Sequence, residues 1–290
     1  MKLWNRLVLG SLVLALALGV CVSPAAAASK KKKSEKETKR EAKHEESATS
    51  TRKHPINGAN MNGRPGYFFA DTANSPDKGQ IMGAAHVVFY SAGSLLNIPF
   101  GAAYGLTDQL QLHASTAFYS VGGGSGLSNL TFGGKYAFKH VSPGLDVAAG
   151  LDFAVGPLSN AGYSTFSFDP YGVVTYNFVD GFQLNGQLGV YVPGGYSIDN
   201  PLYGFFPGEP KTFSYTPPAY LQFNAGAAYP FDHELTGIAE LAVNGQGSGD
   251  TPLVVGIRTG KDVQFQALGG LDLAGTVGVI IGGGIVLVSQ

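Results

Sequence analysis

The sequence predicts an all-β protein, a transmembrane antiparallel up-and-down β-barrel of about 12 strands. Three observations predict it. Apolar residues recur with a period of two along most of the chain after Gly79, as on strands and not on helices. The faces opposite carry mainly Gln, Asn, Gly, Ala and Thr, where a secreted β-sandwich would show water a charged surface. Tight polar turns alternate with longer Gly-rich or aromatic links, the layout of the two rims of a membrane barrel. Composition agrees. Glycine contributes 42 of 290 residues and charged side chains only 13%, against roughly 7% and 25% in ordinary globular chains, which argues against a soluble α/β enzyme. A hydrophobic content of 44% argues equally against a disordered polymer.

Residues 1–28 read as a secretory signal peptide. Lys2 and Arg6 precede the apolar run Leu7–Val22, and Ser23-Pro24-Ala25-Ala26-Ala27-Ala28 offers small residues for cleavage. The run is shorter than the ~20 residues that span a bilayer comfortably. The single cysteine, Cys21, falls inside this leader, so disulfides and Cys-ligated metal are not expected in the mature chain. Residues 29–78 read as a charged, low-complexity periplasmic tail and linker. Ser29 to His54, with Lys30-Lys31-Lys32-Lys33 at its head, holds almost no aliphatic side chain and cannot offset its ordering entropy by burial. From Pro55 onward there are seven basic and fifteen acidic residues, an unfavourable balance for binding nucleic acid.

Residues 79–290 are expected to form the barrel, with strands beginning near Gln80, Leu96, Gln109, Leu127, Leu145, Ser167, Phe182, Ala219, Leu235, Thr251, Val263 and Val277. In the third, Leu110, Leu112, Ala114, Thr116 and Phe118 alternate with Gln109, Gln111, His113, Ser115 and Ala117. In the fourth, Leu130, Phe132, Tyr136 and Phe138 oppose Asn129, Thr131, Lys135 and Lys139. Next, Leu145, Val147, Leu151 and Phe153 oppose Asp146 and Asp152, and Leu184, Leu188 and Val190 oppose Gln183, Asn185 and Gln187. Leu221 and Phe223 oppose Gln222 and Asn224; Leu235, Ala239 and Leu241 oppose Glu240; Val263, Phe265 and Leu271 oppose Gln264, Gln266 and Asp272. Between them, Leu106-Thr107-Asp108, Val141-Ser142-Pro143-Gly144, Asp180-Gly181, Asp232-His233 and Lys261-Asp262 read as tight turns, whereas the longest link runs from Gly195 to Pro217. Phe89, Tyr104, Phe118, Phe138, Phe178, Phe182, Tyr229 and Phe231 lie near strand ends, as the interfacial girdles of such barrels do. One departure is noted: assembly machinery commonly reads a last strand ending in Phe or Trp, whereas the sequence here ends Leu287-Val288-Ser289-Gln290.

Gly105-Leu106-Thr107-Asp108-Gln109-Leu110-Gln111-Leu112, with Gly126-Leu127-Ser128-Asn129-Leu130-Thr131-Phe132-Gly133-Gly134-Lys135-Tyr136, resembles the outer-membrane channels associated with phenol-degradation pathways, relatives of the hydrocarbon and fatty-acid transporters. Lys135-Tyr136 match that pattern, and Asn129 stands where an Asp is more usual. The resemblance spans some thirty residues and implies passive uptake of small aromatic or apolar solutes across the cell outer membrane.

The candidate lumen residues are His86, His113, Lys135, Asp146, Asp152, Asp169, Glu240, Arg258 and Asp272, whose opposed charges would orient polar solutes across a pore. Small inward positions such as Gly101, Gly133, Gly150, Gly189, Gly226 and Gly270 would leave room along the axis. Tyr203, Phe205, Phe206 and Phe213, in the long link, are candidates for an aromatic lid at the mouth. Expected partners are membrane lipid, a small-molecule solute and the outer-membrane assembly machinery, with no nucleic acid; no cofactor and no metal site are expected, and oligomeric state is unknown. The alternatives are a structural or adhesive barrel without an open pore and, least favoured, a lipid hydrolase built on His113 and Ser115. That pair has the His-x-Ser spacing of outer-membrane phospholipases but lacks the following Asn-Gly and faces the lumen, away from lipid.

Overall fold

The computed structural model describes residues 58–156, 165–199, 212–232, 234–244, 251–273 and 277–289. Twelve long strands begin within two residues of the predicted starts, the fourth excepted: β1 (Ile81–Tyr90), β2 (Leu95–Gly105), β3 (Leu110–Val121), β5 (Leu130–Ser142), β6 (Leu145–Gly156), β7 (Thr165–Asn177), β8 (Gln183–Pro193), β11 (Tyr220–Pro230), β12 (Leu235–Asn244), β13 (Pro252–Thr259), β14 (Val263–Asp272) and β15 (Gly278–Val288). Every neighbouring pair is antiparallel, and β1 pairs with both β2 and β15, so the sheet closes on itself. The last strand is where the sequence places it: Met82 pairs with Val288 and Tyr90 with Ile280. Closure matters because backbone groups in hydrocarbon have no water to bond.

The predicted fourth strand is in two pieces. β4 (Gly124–Leu127) pairs with the end of β3, and β5 takes over at Ser115↔Thr131. At the break, Ser128 donates its N–H to Ala117 O at 2.7 Å while its Oγ accepts from the Ala117 N–H at 2.9 Å. The long link after β8 is not wholly irregular either, because β9 (Tyr196–Asp199) and β10 (Thr212–Tyr215) pair as a separate ribbon.

The five tight turns share one rim. Asp232 Oδ1 accepts the N–H groups of Glu234 and Leu235 at 2.8 and 2.7 Å, and Thr107 Oγ1 those of Gln109 and Leu110 at 3.2 and 2.9 Å. Gly144 and Gly181 adopt φ of 82° and 90°, a region costly for residues with a Cβ. The opposite rim carries the longer links.

Outward positions form an apolar band. Val255 and Ile281 are each 61% exposed, and Leu253, Ile257, Phe265 and Leu271 are exposed with them. A continuous surface of this kind is the lipid-facing belt of a barrel, not the surface of a water-soluble protein. At the short-turn rim, aromatic rings run along the wall: Tyr176 to Phe178 at 4.7 Å, Phe178 to Phe182 at 5.3 Å, Phe182 to Tyr229 at 6.5 Å and Tyr229 to Phe231 at 5.5 Å. They sit at the level expected of an interfacial girdle.

The interior is not open in the way small inward residues suggested. Residues 58–76, read from sequence as part of the tail and linker, fold inside the ring, and Asp77 and Lys78 are exposed at the short-turn rim, where the Lys78 N–H donates to Asp108 Oδ1 at 3.1 Å. Met61, Tyr67 and Phe68 pack against the inward side chains of Val88, Ala228, Ile238, Val254, Leu268 and Ile280. The inner face is therefore not uniformly polar: where the segment presents aromatic rings, the wall presents aliphatic ones. The small wall residues make the fit. A Cβ on Gly226 would lie 2.5 Å from the Tyr67 ring, and one on Gly101 2.2 Å from Asn62 O. The room they leave is occupied.

Candidate functional site

A loop of backbone inside a narrow lumen must have its N–H and C=O groups satisfied. Part of that need is met within residues 58–76. Asn60 Oδ1 accepts the N–H groups of Asn62 and Arg64 at 3.0 and 3.1 Å, and Asn60 Nδ2 donates to Asp71 Oδ1 at 2.7 Å. Gly63, at φ 75°, allows the reversal between them. The wall supplies the rest. Arg258 Nη2, on β13, donates to the carbonyls of Ala59, Gly66 and Tyr67 at 3.2, 2.8 and 3.0 Å. Glu240, on β12, accepts from the N–H groups of Phe68 and Phe69 at 3.0 and 2.9 Å and from that of Ala70. Lys135 Nζ, on β5, donates to Thr72 O at 2.7 Å. Gln187 Oε1 accepts from Asp71 N, and Thr175 Oγ1 from Ala73 N, at 2.9 and 2.8 Å.

Arg64 occupies the middle of the lumen. Its Nη1 donates to Asp152 Oδ2 at 2.6 Å, its Nε lies 3.1 Å from Asp71 Oδ1, and its guanidinium carbon lies 5.6 Å from the centre of the Tyr171 ring. Burial by itself would lower the pKa of this guanidinium; the carboxylates of Asp71 and Asp152 outweigh it and hold the pKa above its ordinary value.

The predicted lumen residues thus separate by task. Glu240, Arg258 and Lys135 grip the segment directly. Asp152 and His113 reach it through Arg64, with His113 Nε2 2.7 Å from Asp152 Oδ1. His86 Nε2 lies 2.9 Å from Gln266 Oε1, and Gln266 Nε2 donates to Ala59 O at 2.9 Å. Asp146 and Asp272 are tied to their own wall, accepting from Asn177 Nδ2 and from Thr251 N, each at 2.9 Å. Asp169 faces a cavity. Of the mouth residues, Tyr203, Phe205 and Phe206 lie outside the described residues, and Phe213 stands on β10 opposite Ile198. Sequence reasoning missed Arg64, Asp71 and Tyr67. The signal was there: after His54 the Lys/Glu run stops and Gly, Pro, Asn, Tyr and Phe appear, a composition suited to a folded loop rather than a solvated tail.

Above the segment, toward the rim with the longer links, a cavity of about 550 Å³ opens. Its floor includes Asn62, Arg64 and Phe69, and its walls include Tyr119, Asn129, Asp169, Tyr191 and Gln222. Toward the short-turn end, a cavity of about 50 Å³ lies beside Gly58, Asn74, Asp77 and Met82. The arrangement is a polar vestibule standing on a plug. His113 is not poised as a base for Ser115, because Asp152 engages Nε2 and Nδ1 lies 3.5 Å from Gln111 Nε2. Among the described residues no group of three His, Cys, Asp or Glu side chains is arranged to hold a metal ion.

No protein-family model matches the chain, and no curated protein sequence does. Solved structures do. An outer membrane channel from Pseudomonas putida F1 superposes with a TM-score of 0.53 at 11% identity, covering 77% of this chain and 100% of that one. The NanC porin superposes with a TM-score of 0.53 at 8% identity, covering 71% of this chain and 98% of that one. The chain therefore has the fold of outer-membrane β-barrels, the architecture implied by the resemblance at Gly105–Leu112 and Gly126–Tyr136.

Proposed function

We propose that the chain is a passive outer-membrane channel for small solutes, with residues 58–75 setting the width of its path. The observation that carries this reading is the combination of a closed twelve-stranded wall, an apolar outer belt and a polar vestibule of about 550 Å³ resting on a segment of the same chain. A ring of eight strands is filled by its own side chains and one of sixteen holds an aqueous channel. Twelve strands lie between, which suits a lumen that admits one folded loop and a small solute. The similar solved structures are described as a channel and a porin, which supports transport over catalysis. Residues 1–28 direct export, and the barrel reaches the outer membrane through the general β-barrel assembly route. Lipid contacts the Val255–Ile281 face, while the solute meets Tyr119, Asp169 and Tyr191.

A sealed structural barrel is the second reading, favoured by the many hydrogen bonds between the wall and residues 58–75. Planar-bilayer recording separates the two. The mature chain is expected to show resolved conductance steps and to release small sugars from liposomes with a cut-off set by size. Recordings that stay at the leak level, together with liposomes that retain every solute, would reject the channel and leave the sealed barrel.

A further inference from the structure

Asp152 on β6 and Asp169 on β7 are direct cross-strand partners, both facing the lumen. Two like charges at such a pair are mutually destabilising unless cations lie between or beside them. The plug brings one, Arg64, and that guanidinium is already divided between Asp152, Asp71 and the Tyr171 ring. Lys135, the other buried cation nearby, donates to Thr72 O and stands 4.0 Å from Asp71. Three carboxylates thus share two cations. Asp169 has no cation of its own: the Val190 N–H reaches its carboxylate, while its buried Oδ1 has no hydrogen-bond partner among the described residues. Gly189 on the neighbouring strand keeps the space beside it free, since a Cβ there would lie 2.8 Å from Oδ1.

A second observation points into the same space. Ser167, two residues away on β7 and only 3% exposed, has an Oγ without a partner and lines the vestibule with Asp169. Unpaired buried polar atoms are costly, and here they converge on a cavity that could hold what satisfies them. Tyr119 and Tyr191 complete the wall, and aromatic rings beside a carboxylate are the recognised environment of an ammonium group. A volume of about 550 Å³ exceeds what a bare metal ion needs and suits a small organic molecule.

We propose that the vestibule is a binding site for small organic cations that also carry a hydroxyl group, with Asp169 pairing the ammonium and Ser167 bonding the hydroxyl. The inference rests on the channel reading, since it names the solute class of that path. Equilibrium binding of choline to the detergent-solubilised mature protein tests it, with 3,3-dimethylbutan-1-ol as the uncharged analogue of the same shape. Choline should bind, the neutral analogue should bind at least about tenfold more weakly, and Asp169→Asn should cost choline a similar factor. Asp169→Glu should restore part of the affinity, and Asp180→Asn, on the exposed turn at the other rim, should change nothing. Absence of choline binding, equal binding of the neutral analogue or full affinity in Asp169→Asn would each overturn the proposal. Conductance judges the channel separately: binding without conductance steps upholds the cation site and rejects the channel, whereas steps without binding do the reverse.

Discussion

Removal of residues 58–75 is expected to raise single-channel conductance several-fold, with the steps persisting in high salt. The wall does not depend on the segment for its interstrand hydrogen bonds, because the ring closes through β1 with β2 and β15. What is lost is the filling: the Tyr67 and Phe68 rings against Val88, Val254 and Ile280, and Arg64 between Asp71 and Asp152. Glu240, Arg258 and Lys135 would then face water across the lumen, and a solvated path through twelve strands conducts far better than one threaded by a folded loop. Heat-modifiable mobility on a gel would confirm that the shortened chain still forms a barrel. A shortened chain that runs as a barrel yet conducts like the parent would mean that residues 58–75 do not obstruct the path.

Glu240→Ala is expected to be the most damaging single substitution in the lumen. One carboxylate accepts three successive backbone N–H groups, those of Phe68, Phe69 and Ala70, at a position only 2% exposed. Alanine strands all three donors and removes a carboxylate that acts electrostatically on Arg258. Breaking a buried charged group away from its partners costs on the order of 3–5 kcal/mol, and the cost falls on the docking of the segment rather than on the wall. The expected result is release of the plug: Tyr67 and Phe68, buried in the parent, become chymotrypsin sites while the barrel stays folded. Glu240→Gln keeps one carbonyl acceptor and should be cut at an intermediate rate. Resistance of Glu240→Ala to chymotrypsin at Tyr67 and Phe68 equal to the parent would show that the Arg258 and Lys135 contacts alone hold the segment.

The wall was legible in the sequence because its determinant is local. A period of two forces alternate side chains to opposite faces, so Leu112 and His113, or Val255 and Arg258, sort themselves without knowledge of the rest of the fold. Turns were legible for the same reason, through Asp108, Gly144 and Gly181. The plug was not. Its bonds join residues far apart in sequence, such as Arg64 with Asp152 and Ala59 with Arg258, and no local pattern announces them. The candidate charges were found on the correct face, but their purpose was read as lining a pore when Glu240, Arg258 and Lys135 mostly satisfy the backbone of an internal loop. Inward glycines misled in a related way. Gly101 and Gly226 signal close approach of another group, and sequence alone could not say whether that group was solute, water or chain.

The most direct measurement concerns the orientation of the wall. The sequence has one tryptophan, Trp4, so in a Trp4→Phe background single tryptophans report alone. Placed at Leu253, Val255, Ile257, Phe265 and Leu271 in liposomes containing brominated phosphatidylcholine, each should be quenched by the lipid and spared by acrylamide, most strongly near the middle of the strands. Quenching by acrylamide with no effect of the brominated lipid would place that face in water and contradict the barrel.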